Sequence, residues 1–189
     1  HAGICAGGAP KGASLPRCWE MNEMIEKLTS DRVDWIQSAY ARLSWGKRNG
    51  YFRDCFAAQE RGDMVLLVVR TDDELHGYLK VVWQPTYAPF REQNIPEIQD
   101  LNVVLDSRRK GVATRLMDRA EEIIAERSPI VGIGVGLHPG YAAAQRMYVL
   151  RGYVPDAMPV TYHDEFVKEG QELKLDDELV LHLTKQLRD

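Results

Sequence analysis

No stretch of this sequence stays apolar for the roughly 18 residues that a membrane-crossing helix requires. Basic residues are not in excess: 24 Lys and Arg stand against 28 Asp and Glu, a net charge of −4. Proteins that grip nucleic acid through its phosphates usually carry the opposite imbalance, so the composition argues against a general nucleic-acid binder. A small or cationic partner fits it better. Cysteine is scarce. Cys5, Cys18 and Cys55 have no CxxC or CxH neighbourhood, which argues against a zinc site or a disulfide framework. They read as free thiols in a reducing cytoplasm. Two well-known phosphate loops are also missing. A P-loop needs GxxxxGK(S/T), and "SRRKGVAT" has one glycine. A dinucleotide fingerprint needs GxGxxG, and "VGIGVGLHPG" lacks its third glycine. There Gly132, Gly134 and Gly136 alternate with Ile133, Val135 and Leu137, as a strand with one bare face would, and a bare face lets a ligand or another backbone come close.

The chain has 189 residues, 44% apolar and 28% charged, which suits one soluble domain with a real core. Residues 1–18 are rich in Gly, Ala and Pro and lack the apolar centre of a signal peptide. They read as a tag or disordered extension, with residues 19–189 as the domain. Within it, 19–29 reads as a strand and 31–45 as a helix with Val33, Ile36, Tyr40 and Leu43 at helical spacing. "YFRDCFAAQERGD" reads as a second helix. "MVLLVVR" and "LHGYLKVVWQ" read as an antiparallel hairpin, and "PTYAPFREQNIP", with three prolines, as a loop. "EIQDLNVVL" is a further strand and "GVATRLMDRAEEIIAE" an amphipathic helix with Leu116, Met117, Ala120, Ile123 and Ile124 on one face. "IVGIGVGLH" is a strand, "GYAAAQRMYVLRGY" a helix, and "MPVTY" and "DELVLHLTKQL" late strands. This order predicts an α/β fold, a mixed sheet with helices on its faces.

The junction Arg108-Arg109-Lys110-Gly111-Val112-Ala113 concentrates cations and a glycine where a strand passes into a helix. A helix start presents unpaired N–H groups and partial positive charge, and glycine admits an anion close to the backbone. A pyrophosphate cradle and a solvated basic turn are both open on charge alone. The segment from Glu97 to Tyr153 resembles the GNAT superfamily of acyl-CoA N-acyltransferases. That family writes its pyrophosphate loop (Q/R)-x-x-G-x-(G/A), matched by Arg108 to Ala113. It also carries a helix of the form A-x-x-(L/M)-Y-x-x-x-G-(F/Y), matched by Ala144, Met147, Tyr148, Gly152 and Tyr153. Both motifs stand in the family's order. The chain departs from the family at Tyr141, where many relatives carry Asn, and at Gln99, where many carry Glu.

The resemblance implies a GNAT-like, mostly antiparallel sheet, acetyl-CoA as donor and no metal. It implies that Arg108, Arg109, Lys110, Gly111, Val112, Ala113 and Thr114 hold the diphosphate. Val103 and Val104 would pair with the pantetheine arm beside a bulge expected at Asn102. It implies that Tyr148 protonates the departing thiolate. The base is left open between Asp100 and Glu97, with His138 and His163 as further candidates. Aromatic Trp83, Tyr87 and Phe90 and the acidic "TYHDEF", which holds His163 and Asp164, are candidate acceptor contacts, as is "DDE" at 176–178. The expected activity is acetyl transfer to the primary amine of a small molecule, an aminoglycoside antibiotic being the most concrete case, with resistance as the consequence. A protein lysine or N-terminal acetyltransferase and a non-catalytic acyl-CoA sensor are the alternatives. The family's habit of pairing adds a homodimer, to which the composition read above adds a cytoplasmic location and no nucleic acid or membrane as partner.

Overall fold

Short, dense apolar runs alternating with amphipathic helices can be buried only by pairing the runs and laying the helices on them. The computed structural model describes residues 24–43, 49–72 and 74–188. Its elements are β1 (Met24–Lys27), α1 (Val33–Ala41), α2 (Tyr51–Glu60), β2 (Met64–Arg70), β3 (Leu75–Val82), α3 (Ala88–Glu92), β4 (Glu97–Val103), α4 (Val112–Ala125), β5 (Ile130–Gly136), α5 (Ala142–Leu150), β6 (Val154–Pro155), β7 (Thr161–Tyr162), β8 (Glu165–Phe166) and β9 (Leu179–Gln186). The strands form one sheet in the order β1-β2-β3-β4-β5-β9-β7-β8, with β6 also paired to β9. Every pairing is antiparallel except β4 with β5. The mixed, mostly antiparallel sheet flanked by helices is thus the one the sequence predicts.

The core has two layers because β2 and β3 are covered on both faces. On one face α4 lays Leu116, Met117, Ala120, Ile123 and Ile124 against Leu67, Val69, Leu79, Val81, Ile98 and Ile133. On the other, Leu66, Val68 and Tyr78 meet Ile36, Tyr40 and Phe52 of α1 and α2. Tyr40, Phe52 and Tyr78 pack edge to face, with centroids 5.2–5.8 Å apart. Each fully buried aliphatic or phenyl side chain contributes about 1.5–3 kcal/mol, so this double cover fixes the hairpin on which the later strands are built.

Several local expectations change. The first strand runs Met24–Lys27, and the residues before it fall outside those described. Helix α1 closes at Ala41 after a 3-10 turn at Ser30–Arg32. The proline-rich loop contains α3, because Pro89 sits in its first turn, where a fixed φ suits a helix start. Strands β6 and β8 were not anticipated, since two residues are too few for a period to show. Cys55 is a buried free thiol, and Cys5 and Cys18 lie outside the described residues.

One irregularity positions everything that follows. Lys80 pairs with Gln99 and Tyr78 with Asn102, so Asp100 and Leu101 together face Leu79 alone. Asp100 takes φ +59°. The bulge therefore lies at Asp100–Leu101 and not at Asn102, which keeps its place in the ladder. The Asn102 amide instead braces the bulge, donating to the Asp100 carbonyl at 2.9 Å and the Tyr78 hydroxyl at 3.2 Å. A bulge bends its strand, and β4 meets β5 only at Glu97–Gly132 and Ile98–Ile133. Beyond Ile98 the two strands part.

Gly77 lets β3 lie close under the returning strand. A Cβ there would stand 2.7 Å from the Asn102 carbonyl and 3.1 Å from Val112 Cγ1. The first of these is backbone and yields only if β4 moves. Gly77→Ala is expected to destabilise the fold by about 1–3 kcal/mol, read as a lower urea midpoint at unchanged slope.

Candidate active site

A cavity of about 830 Å³ occupies the fork between β4 and β5. Its walls come from β4, the start of α4, α5, the end of β5, the β7–β8 turn and β9. The two halves of the cavity differ in chemistry.

In one half, β4 has no strand partner beyond Ile98 on its β5 side. Leu101, Asn102 and Val103 line the cavity along this open edge. The chain then turns through a 3-10 segment, Leu105–Ser107, into α4. Arg109 takes φ +58° and Gly111, the residue capping α4, φ +83°. This places the first-turn N–H groups of α4, which have no intrahelical acceptor, at the cavity wall formed by Gly111, Val112, Ala113 and Thr114. Arg108 and Arg109 line the same wall. The Arg108 Nε donates to the Val103 carbonyl at 3.2 Å, tying the cationic turn to the strand end.

Tyr148 projects from α5 and lines the cavity. Helix α5 is held by Arg151, whose guanidinium reaches Asp118 at 2.7 Å and Glu121 at 3.0 Å on α4. The Tyr148 ring is buried, and among the described residues its hydroxyl has no hydrogen-bond partner. Burial raises its pKa above the ordinary phenol value, so it keeps its proton throughout the neutral range.

The other half is acidic. Glu97, Asp100, Asp164 and Asp177 all line the cavity. Glu97 is 5% exposed. Burial pushes its carboxyl up to about 7; the amide of Gln99, at 2.7 Å from Oε2, opposes the shift, and the Asp164 charge adds to it. Asp100 is occupied otherwise: the Tyr51 hydroxyl donates to its carboxylate and Lys80 Nζ lies 3.8 Å away. Asp164 sits at the tip of the β7–β8 hairpin, where His163 and Asp164 both take positive φ, +52° and +64°. Two consecutive positive φ values match the twist of a two-residue hairpin turn.

Several expected contacts lie elsewhere. Trp83 packs against the core under the Arg127 guanidinium, 4.4 Å from its ring centroid, and does not reach the cavity. Phe90 is fully buried behind the wall. Tyr87 does line it, its hydroxyl donating to Asp156 at 2.8 Å. Val104 gives its N–H to the His76 carbonyl at 2.9 Å, so β3 has already taken the group expected to pair with a ligand. Lys110 is exposed outside the wall. His163 turns to Glu178 at 3.3 Å. His138 forms a clamp at the rim. Its Nδ1 accepts from the Gly140 N–H at 3.0 Å, which leaves the proton on Nε2, donated to Asp177 at 2.7 Å. His182, also in the wall, was not singled out from sequence. The available signal was a histidine flanked by Leu181 and Leu183 in the apolar first half of its strand.

Among the described residues no helix is long and apolar enough to cross a membrane, and no group of three or more His, Cys, Asp or Glu is placed to hold a metal. A family model described as the acetyltransferase (GNAT) family matches residues 22–153. No curated protein matches the sequence. Solved structures of similar fold include an N-acetyltransferase from Staphylococcus aureus, at 15% identity and TM-score 0.65, covering 88% of this chain and 99% of that one. The Salmonella typhimurium protein yncA, solved with its cofactor acetyl-CoA, has 19% identity and TM-score 0.62 over 89% and 95% of the two chains. The spermidine/spermine N-acetyltransferase SpeG from Vibrio cholerae has 15% identity and TM-score 0.57 over 88% and 93%.

The state of Glu97 has a measurable consequence for stability. Its folded pKa of about 7 lies above the ordinary glutamate value of 4.5. Between those values the folded chain holds a proton that the unfolded chain has lost, so stability falls as pH rises through that window. Glu97→Gln removes the decline. Relative to wild type it is expected to gain about 3 kcal/mol between pH 4 and pH 8, measured by urea unfolding at both ends; parallel wild-type and variant curves contradict a buried acid.

Proposed function

The chain belongs to the acetyltransferase (GNAT) family, and on that premise we propose that it moves an acetyl group from acetyl-CoA to a primary amine of a small cationic molecule. The observation that carries this reading is that one cavity is lined by the N–H groups of the α4 start and two arginines, by four carboxylates, and by Tyr148. The residues present fit acetyl-CoA. The α4 start with Arg108 and Arg109 suits a diphosphate. The partnerless edge at Leu101–Val103 suits an amide-rich arm added as a strand would be.

Acetyl-CoA supplies the acetyl group as a thioester. Glu97, half ionised near neutrality, takes the proton that the amine nitrogen sheds as its bond to the acetyl carbon forms. Tyr148 gives its proton to the sulfur as the carbon–sulfur bond breaks. A positioned acid or base of this kind contributes on the order of 10²–10⁴-fold. Asp164 and Asp177 attract the acceptor's remaining positive charge. An aminoglycoside has this character, and so do the polyamines named for the Vibrio cholerae relative. A protein lysine would need an open groove, whereas here the hairpin carrying Asp164 and the clamp at Asp177 bound the cavity.

The direct test incubates the protein with acetyl-CoA and spermidine, neamine or a lysine peptide while released thiol is followed. Release with the small cations and not with the peptide is expected; release with the peptide alone defeats the reading. Tyr148→Phe should lower kcat by about a hundredfold with acetyl-CoA affinity little changed, and undiminished turnover removes Tyr148 from the acid role. Replacing Arg108 and Arg109 together by Glu should weaken acetyl-CoA binding, and more at low salt than at high salt, because screening hides the lost attraction. Calorimetry at two ionic strengths reads both effects.

A further inference from the structure

The bare face of β5 is not uniformly bare. The Phe90 ring fills the space over Gly132, and the Tyr141 ring that over Gly136. Over Gly134 no ring comes as close as those two. A Cβ there would lie 3.0 Å from Val180 Cγ1, 3.5 Å from Glu97 Oε1 and 3.6 Å from His182 Cδ2. Gly134, Glu97, Val180 and His182 all line the cavity. The middle glycine therefore opens a notch with a carboxyl on one wall and an imidazole on the other.

His182 is held rigidly. It is 5% exposed, its ring lies flat on Tyr87 with centroids 3.5 Å apart, and its edge meets Phe90 at 5.5 Å. Tyr87 is fixed in turn by Asp156, whose own N–H donates to the His182 carbonyl at 3.1 Å. The His182 Nδ1 is buried with no hydrogen-bond partner, while Cδ2, bonded to Nε2, is the ring atom nearest Gly134, and the residue lines the cavity. A neutral imidazole has one N–H to place. A buried N–H without an acceptor is among the rarest features of folded proteins, so the proton belongs on Nε2 and Nδ1 keeps a bare lone pair. Burial also lowers the imidazole pKa to about 4, so the ring meets a cationic acceptor without charge.

We propose that His182 is a specificity-determining residue whose Nε2–H donates to a neutral oxygen of the acceptor, beside the amine that faces Glu97. This deepens the transfer reading above and rests on it. A second ammonium would bring only donors to a donor. A carboxylate would be repelled by Glu97 and Asp164. A hydroxyl, ether or carbonyl oxygen satisfies both walls, which selects amino alcohols and amino sugars over bare polyamines.

The test compares ethanolamine with propylamine, which differ by a hydroxyl in place of a methyl, and neamine with spermidine. Thiol release gives kcat/KM, and calorimetry with coenzyme A present gives Kd. Wild type should favour ethanolamine by about tenfold, the worth of one good hydrogen bond. His182→Phe, which keeps the stack on Tyr87, should erase the preference without altering KM for acetyl-CoA, and His182→Gln, which keeps an N–H, should restore part of it. Nitrogen-15 spectra of labelled histidine should show the Nε2–H tautomer at neutral pH. A preference absent in wild type, a preference retained in His182→Phe, or an Nδ1–H or doubly protonated ring each overturns the proposal. If no amine releases thiol, the transfer reading fails by itself; the Kd ratio and the tautomer still decide the role of His182.

Discussion

The parting of β4 from β5 is the constraint on which the site depends. Two parallel strands that stayed paired would leave no cavity and no open edge. The bulge at Asp100–Leu101 breaks the pairing after Ile98, and its geometry is secured from three sides. Asn102 caps the displaced carbonyl, Tyr51 of α2 binds the Asp100 carboxylate, and Lys80 approaches it from β3. A residue with positive φ costs conformational energy of about 1–3 kcal/mol unless its surroundings hold it. Here the surroundings are polar contacts from separate elements, so the shape of the fork is a property of the whole fold and not of one strand.

Burial acts on the two titratable groups of the notch in opposite directions, for one reason. Water stabilises charge, and its removal favours whichever form is neutral. For Glu97 that form is the acid, and for His182 the free base. Both move toward neutrality, so this buried end of the cavity is weakly charged, while Asp164 and Asp177 line it as exposed residues. A cationic molecule meets attraction from the exposed carboxylates and hydrogen-bonding groups at the buried end. That order suits a group that must give up a proton before it reacts.

Much of the fold was legible because its signals are local. The α4 stripe repeats at helical spacing and is buried as read, and the hairpin from Met64 to Val82 follows from two dense apolar runs. The basic junction was legible for the same reason, since a helix start, a glycine and neighbouring cations are all within one turn of chain. The acceptor side was less so. Trp83, Phe90 and His163 are the residue types that bind ligands, but whether they face a cavity depends on strands far apart in sequence. Phe90 is behind the wall because it fills the space over Gly132, and Trp83 is under Arg127. His182 enters the site only through the β5–β9 register that sets it opposite Gly134, and no local pattern encodes that register.

The same long-range register explains how the two catalytic candidates can keep a fixed relation. Glu97 belongs to β4, and Tyr148 to α5, which packs into the same core cluster as the strands. Glu121 of α4 ties the end of that helix to β9, accepting from Arg151 and Tyr153 just past α5 and from Lys185 at 2.6 Å, and β9 reaches β4 only through β5. Strand β9 pairs with β5 along its whole length and carries His182 into the notch. One mostly buried carboxylate thus fastens the helix bearing Tyr148 to the strand bearing His182, across the helix whose start forms part of the cavity wall. The cavity is formed by strands that diverge, and this network fastens the end at which they are still paired, where Lys185 stands opposite Val131.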